Sequence, residues 1–199
     1  MNIIWHGHSC FEITGKDGTI VFDPYQANSV PGLNSLKLKA NLVLCSHEHD
    51  DHNARNCVEV APKDFKVTCI ETYHDHHQGS HRGKNTIHIV DFEDLKVVHM
   101  GDIGCMMDDV SKLKNCDVLM IPIGGYYTID TKEALKYIER IQPRIVIPMH
   151  YHSHEFGYDV LSTNEEFIKQ SSNIVYVDDY LEVHKETKGQ TIVFKKPRN

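Results

Sequence analysis

The chain has 199 residues, of which 40% are hydrophobic and 25% charged, with a formal net charge of -7. That length suits one sizeable core and is short for two, so residues 1–199 are read as a single domain. The acidic balance argues against nucleic-acid binding, and no apolar run approaches the roughly 20 residues of a membrane span. Six cysteines without a C-x-x-C pair indicate reduced thiols and a cytoplasmic setting. The start, Met1-Asn2-Ile3-Ile4-Trp5-His6, lacks the basic and small-residue pattern of a leader. Fifteen histidines, spread along the chain, are the departure from ordinary composition.

In chain order, the first strands are expected at 3–5, 10–14 and 19–22, the last two joined by the turn Gly15-Lys16-Asp17-Gly18. Next comes the apolar run Leu42-Val43-Leu44-Cys45, which leads to His47. A weak helix is expected near 53–60. The run at 67–70 leads to His74, that at 96–101 to Asp102, and that at 118–121 to Gly124-Gly125. Asp130 with Glu133 reads as a capping box, opening a helix with Ala134, Ile138 and Ile141 on one face. The run at 145–148 leads to His150, and a second helix opens at Thr163-Asn164-Glu165-Glu166. The segments 181–184 and 191–194, around Lys188-Gly189, are expected to pair as a hairpin. Strands dominate, which predicts an α+β fold of two sheets with helices outside.

The densest chemistry is His47-Glu48-His49-Asp50-Asp51-His52, an H-x-H-x-D-H cluster directly after a strand. Imidazole and carboxylate together suit zinc, iron or manganese better than calcium or magnesium. Two neighbouring ions need about six protein ligands, so further donors must come from other strand ends. His74, Asp102 and His150 stand at such ends, which gives seven candidates with His47, His49, Asp51 and His52. His76 and His77 rival His74, and His152 and His154 rival His150; strand-end position favours the first of each set. His6, His88 and His184 read as sheet-face residues. Asp23 either orients a ligating histidine through its second nitrogen or makes a turn before Pro24.

With H-x-H-x-D-H, a later histidine, an aspartate in a G-D-x-G turn and a final strand-end histidine, the chain resembles the metallo-β-lactamase superfamily. Gly7-His8-Ser9, Asp23-Pro24, Arg82-Gly83-Lys84-Asn85, His99-Met100-Gly101-Asp102 and Pro122-Ile123-Gly124-Gly125 narrow this to small metal-dependent hydrolases, including ascorbate-6-phosphate lactonase-like proteins. The resemblance spans residues 3 to about 152. It implies a four-layer αββα sandwich with a dinuclear site at one edge. His47, His49 and His74 would hold the first ion; Asp51, His52 and His150 the second; Asp102 would bridge.

That implies a hydrolase with two divalent ions, zinc first among them, whose bridging hydroxide attacks a small-molecule ester, lactone or phosphodiester. Asp51 is the catalytic candidate, orienting the nucleophile or passing a proton. Arg82, Asn85 and His8 are the substrate-facing candidates, the first two from a basic segment that suits an anionic substrate. For Asn85, pinning its loop is the other reading. For His8 and His99, a core place and support of a ligand are both open. An iron-dependent oxidoreductase and a non-catalytic metal-binding scaffold are the competing functions. A homo-oligomer is compatible with the sequence.

Overall fold

Alternation of buried and exposed positions organises the N-terminal third of this computed structural model, which describes residues 1–198. Strands β1 (Asn2–Gly7), β2 (Cys10–Gly15) and β3 (Gly18–Phe22) pair antiparallel. Their period of two sends Ile3, Trp5, Phe11, Ile13, Ile20 and Phe22 into the main core, and Cys10 and Val21 to the opposite face. The short strands β4 (Leu38–Ala40), β5 (Leu42–Leu44) and β6 (Val58–Val60) follow. β5 extends the first sheet beside β3, while β4 and β6 pair with each other.

The second half of the fold contains β7 (Lys66–Tyr73), β8 (Lys84–Phe92), β9 (Leu95–His99), β10 (Val118–Pro122), α1 (Thr131–Ile141) and β11 (Ile145–Met149). α2 (Glu165–Gln170), β12 (Ile174–Val177), β13 (Tyr180–Glu182) and β14 (Gln190–Phe194) complete it. The large sheet runs β12-β14-β11-β10-β9-β8-β7, and the smaller one β13-β1-β2-β3-β5. Every residue of β10 and β11 is buried. Such runs form where a parallel strand is covered on both faces. The small sheet packs into the same core as the large one, and α1 and α2 add Ala134, Tyr137, Ile141 and Phe167 to it. The outer face of the small sheet carries Tyr25, Val30, Val58 and the β4–β6 pair instead of a helix. The layers are those of an αββα sandwich of the α+β class, with that outer layer reduced.

α1 starts as its sequence dictates. Asp130 accepts from the Glu133 N–H at 2.9 Å, and Glu133 accepts from the Asp130 N–H at 3.1 Å. Two expectations fail, and one strand was not foreseen. The helix expected near 53–60 is a single 3-10 turn, Arg55–Cys57, running into β6. The C-terminal hairpin is absent: β13 pairs with β1 in the small sheet, and β14 with β11 and β12 in the large one. The segment between them crosses from sheet to sheet, so Lys188-Gly189 closes no two-strand ladder. The segment Lys84–Phe92, which carried no strand expectation, is the nine-residue β8, between β7 and β9.

Candidate metal centre

Strand ends deliver the site. The β1–β2 turn brings His8, the end of β3 brings Asp23, and the loop after β5 brings Ser46 to His52. His74 and His150 directly follow β7 and β11, and Asp102 lies three residues beyond the end of β9. Asp23 ties the first of these together. It accepts from the Ser46 N–H at 2.7 Å and the Ser46 hydroxyl at 2.6 Å, and its Oδ2 lies 2.8 Å from His52 Nδ1. Because the Ser46 hydroxyl spends its one proton on Asp23, His47 Nδ1 must donate to Ser46 Oγ, 2.9 Å away. Both histidines are thereby held with Nε2 as the free ligating nitrogen. Of the two readings of Asp23, the orienting one describes its contacts.

The seven candidates converge. His47, His49 and His74 form one group of donors lying within 4.8 Å of one another; Asp51, His52 and His150 form part of another. Asp102 stands between them. Its Oδ2 is 3.0 Å from His150 Nε2, 3.1 Å from His52 Nε2, 3.4 Å from His74 Nε2 and 4.0 Å from His47 Nε2. The main chain is shaped to allow this. Gly101 has φ +55°, and a Cβ there would fall 2.4 Å from both Ser46 Cβ and Asn85 Oδ1.

Three comparisons bear on this arrangement. The family model of the β-lactamase superfamily domain matches residues 2–150. The chain belongs to the metallo-β-lactamase superfamily. A UPF0173 metal-dependent hydrolase of Thermoplasma acidophilum is 28% identical, over 88% of this chain and 92% of that one. A second, from Staphylothermus marinus, is 30% identical over 74% of this chain and 82% of its own. A crystal structure of a metallo-β-lactamase superfamily protein from Thermotoga maritima superposes with a TM-score of 0.79 at 27% identity, covering 97% of each chain. This kinship assigns the chain to the superfamily's metal-dependent hydrolases.

The residues fit divalent ions on their own terms. Tetrahedral donors at 2.0–2.2 Å from zinc stand about 3.3–3.6 Å apart; of the spacings around Asp102 Oδ2, the 3.4 Å to His74 falls inside that range, with 3.0 and 3.1 Å just below it and 4.0 Å above. Yet His47 Nε2, His52 Nε2, His150 Nε2 and Asp102 Oδ1 are buried and have no hydrogen-bond partner among the described residues. Lone pairs that approach this closely without hydrogen-bond geometry point at a shared cation. The electrostatics agree. Burial pushes the His47 imidazole down to about 3, so it stays neutral and able to ligate. Burial alone would raise the Asp102 carboxyl; His150 and His52 outweigh it and hold it well below the usual carboxylate range. His52 is the converse case. Burial would lower it, but Asp102, Asp51 and Asp23 outweigh burial and hold it well above the usual imidazole value.

Of the rival histidines, His76 and His77 are exposed; His76 lies 3.8 Å from Glu133, and His77 packs on His81. His152 lies beside Asp159 and His154 is exposed. His99 is a core residue, stacked on Phe22 and bonded to the Ser9 carbonyl.

Two of the substrate-facing expectations need correction. Asn85 is fully buried, and its amide is already engaged: Nδ2 donates to Thr72 Oγ1 and the Met100 carbonyl, and Oδ1 accepts from the Asp102 N–H. It anchors the turn that carries Asp102. His8 is 1% exposed, contacts Asp51 and His150, and is not among the side chains lining the cavity over Asp102. Arg82 differs. It lines a cavity of about 220 Å³ together with His49, Asp51, His74, Asp102 and His150. A larger hollow of about 630 Å³ beside Asp108 and Arg140 contains no such donor group.

Proposed function

We propose that the chain uses two divalent ions to hydrolyse a small anionic ester, lactone or phosphodiester. The observation that carries this reading is the pair of donor groups meeting at Asp102, at the base of a cavity edged by one arginine. His47, His49 and His74 would hold one ion, Asp51, His52 and His150 the other, with Asp102 shared. The bound ions supply Lewis acidity and bring the pKa of water toward neutrality.

The chain's own residues do the rest. The Arg82 guanidinium sits 4.1 Å over the Tyr127 ring, and among the described residues it pairs with no carboxylate. It is free to hold an anion in a bidentate grip. Asp75 fixes the loop that presents it, accepting main-chain N–H groups from His77, Gly79, His81 and Arg82 at 2.7–3.1 Å. Those bonds hold the Asp75 carboxyl down at about 2. Asp51 stays ionised because His52 and His8 outweigh the effect of its burial, so its carboxylate can accept a hydrogen bond from an attacking water and orient it. The Tyr158 hydroxyl, on the cavity wall, donates to the Ser29 carbonyl at 2.7 Å and lies 3.3 Å from Asp51 Oδ2.

The test is a panel of phosphodiesters, lactones and thioesters with protein loaded separately with zinc, manganese and iron, followed by Arg82→Ala on the best substrate. A hydrogen bond to a charged group contributes about 1.5–3 kcal/mol. The variant should therefore raise KM for the charged substrate at least about tenfold, with kcat little changed and a neutral analogue unaffected. Equal losses on both substrates would remove the anionic preference. Turnover with oxygen consumption and no hydrolysis would replace the reaction class.

A further inference from the structure

His8 is buried beside the donor group of Asp51, His52 and His150, and the ligand atoms of all four lie within 4.8 Å of one another. Its Nε2 is 3.3 Å from Asp51 Oδ2, a spacing that two donors on one zinc ion can adopt. Its ring centroid is 4.1 Å from that of His150 and 5.1 Å from that of His52. Its Nδ1 has no partner among the described residues, a feature it shares with His74 and His150.

The main chain has been bent to put it there. Gly7 pairs with Cys10 across the β1–β2 turn, after a register shift between Trp5 and Gly7 that re-aims the strand end. His8 itself has φ +52°, a left-handed conformation that costs a non-glycine residue free energy. Asp23 and His150, two other residues of the site, have φ +43° and +53°. The His8 carbonyl accepts from Trp5 Nε1 at 3.2 Å and from the His150 N–H at 3.4 Å, locking the turn against the end of β11.

We infer that His8 is an eighth protein ligand, bound through Nε2 to the ion held by Asp51, His52 and His150. This rests on the two-ion reading above and deepens it. The ion would then have five protein donors, counting Asp102, against four for its neighbour. The two positions are therefore chemically unequal, and the His8 side is built to hold its ion more tightly.

Two measurements test this, and neither depends on turnover. The first is zinc titration by calorimetry with elemental analysis, on the wild-type chain and on His8→Asn; asparagine tolerates the left-handed backbone. The expected result is two ions in the wild type, with affinity for one of them at least tenfold weaker in the variant and the other unchanged. The second is 15N-histidine NMR of the zinc-loaded wild type, with the His8 signal identified as the one missing in His8→Asn. A zinc-ligated Nε2 on that ring supports the inference. A ring that stays unligated in protein carrying two ions overturns it and leaves the two-ion reading standing. A wild type that saturates at one ion defeats the two-ion reading, and His8 survives that outcome only if its ring is ligated to the single ion.

Discussion

Asn85→Ala removes three hydrogen bonds from a fully buried position, and the consequences separate an anchoring role from a substrate-binding one. The Asp102 N–H and the Met100 carbonyl lose the partners they have at 2.8 and 2.9 Å. Each buried group left unpaired costs about 1–3 kcal/mol, so the variant should lose about 2–6 kcal/mol of stability. The Thr72 hydroxyl still donates to the residue 85 carbonyl and adds little to the cost. Urea denaturation of chelator-treated protein measures this term without metal linkage. The same substitution frees the turn carrying Asp102, so ion affinity should fall about 10–100-fold, the usual effect of removing a group that orients a ligand. KM should change equally for charged and neutral substrates. A stability loss below about 1 kcal/mol, with KM raised only for the charged substrate, would refute the reasoning and return Asn85 to the substrate.

Asp102→Ala should leave the chain folded and reduce hydrolysis by orders of magnitude even with excess metal, because one carboxylate oxygen serves both donor groups; near-normal turnover would make it a turn residue only. Acid stability should also report His88, which is buried on β8 with its imidazole held down at about 4 by burial. Its folded pKa lies below the unfolded value of about 6.5, so the unfolded chain binds more protons between them, and the stability present above about 6.5 is lost as the pH drops toward 4. In chelator, urea denaturation at pH 7 and pH 4 should show His88→Leu losing about 3 kcal/mol less than the wild type over the interval; equal losses would mean that the His88 ring is hydrated.

Sequence position picked out the side chains that converge because these candidate ligands lie at or just beyond the ends of short apolar runs, and such runs are readable locally. His47 to His52 stand together after β5, and Asp102 follows β9 in a glycine turn that a side chain would block. What failed was non-local. β8 begins with Lys84-Asn85-Thr86, which looks like loop, and only its pairing with β7 and β9 makes it a strand. The C-terminal segments resemble a hairpin, but each finds a better partner in a different sheet. Asn85 is polar in a basic segment and reads as surface, yet its amide is consumed by the Asp102 turn. His8 was visible as Gly7-His8-Ser9, but its aim depends on the register shift in β1. Tyr158 and Asp75 had no signal: one reaches the site from 107 residues beyond Asp51, and the other acts through backbone N–H groups.

The central claim is that two divalent ions share Asp102 between two donor groups. Elemental analysis of protein purified without chelator, then saturated with zinc and desalted, tests it most directly. The account predicts two ions per chain, falling to one or none in Asp102→Ala. One ion at saturation in the wild type, with Asp51 and His52 left unliganded, would contradict it.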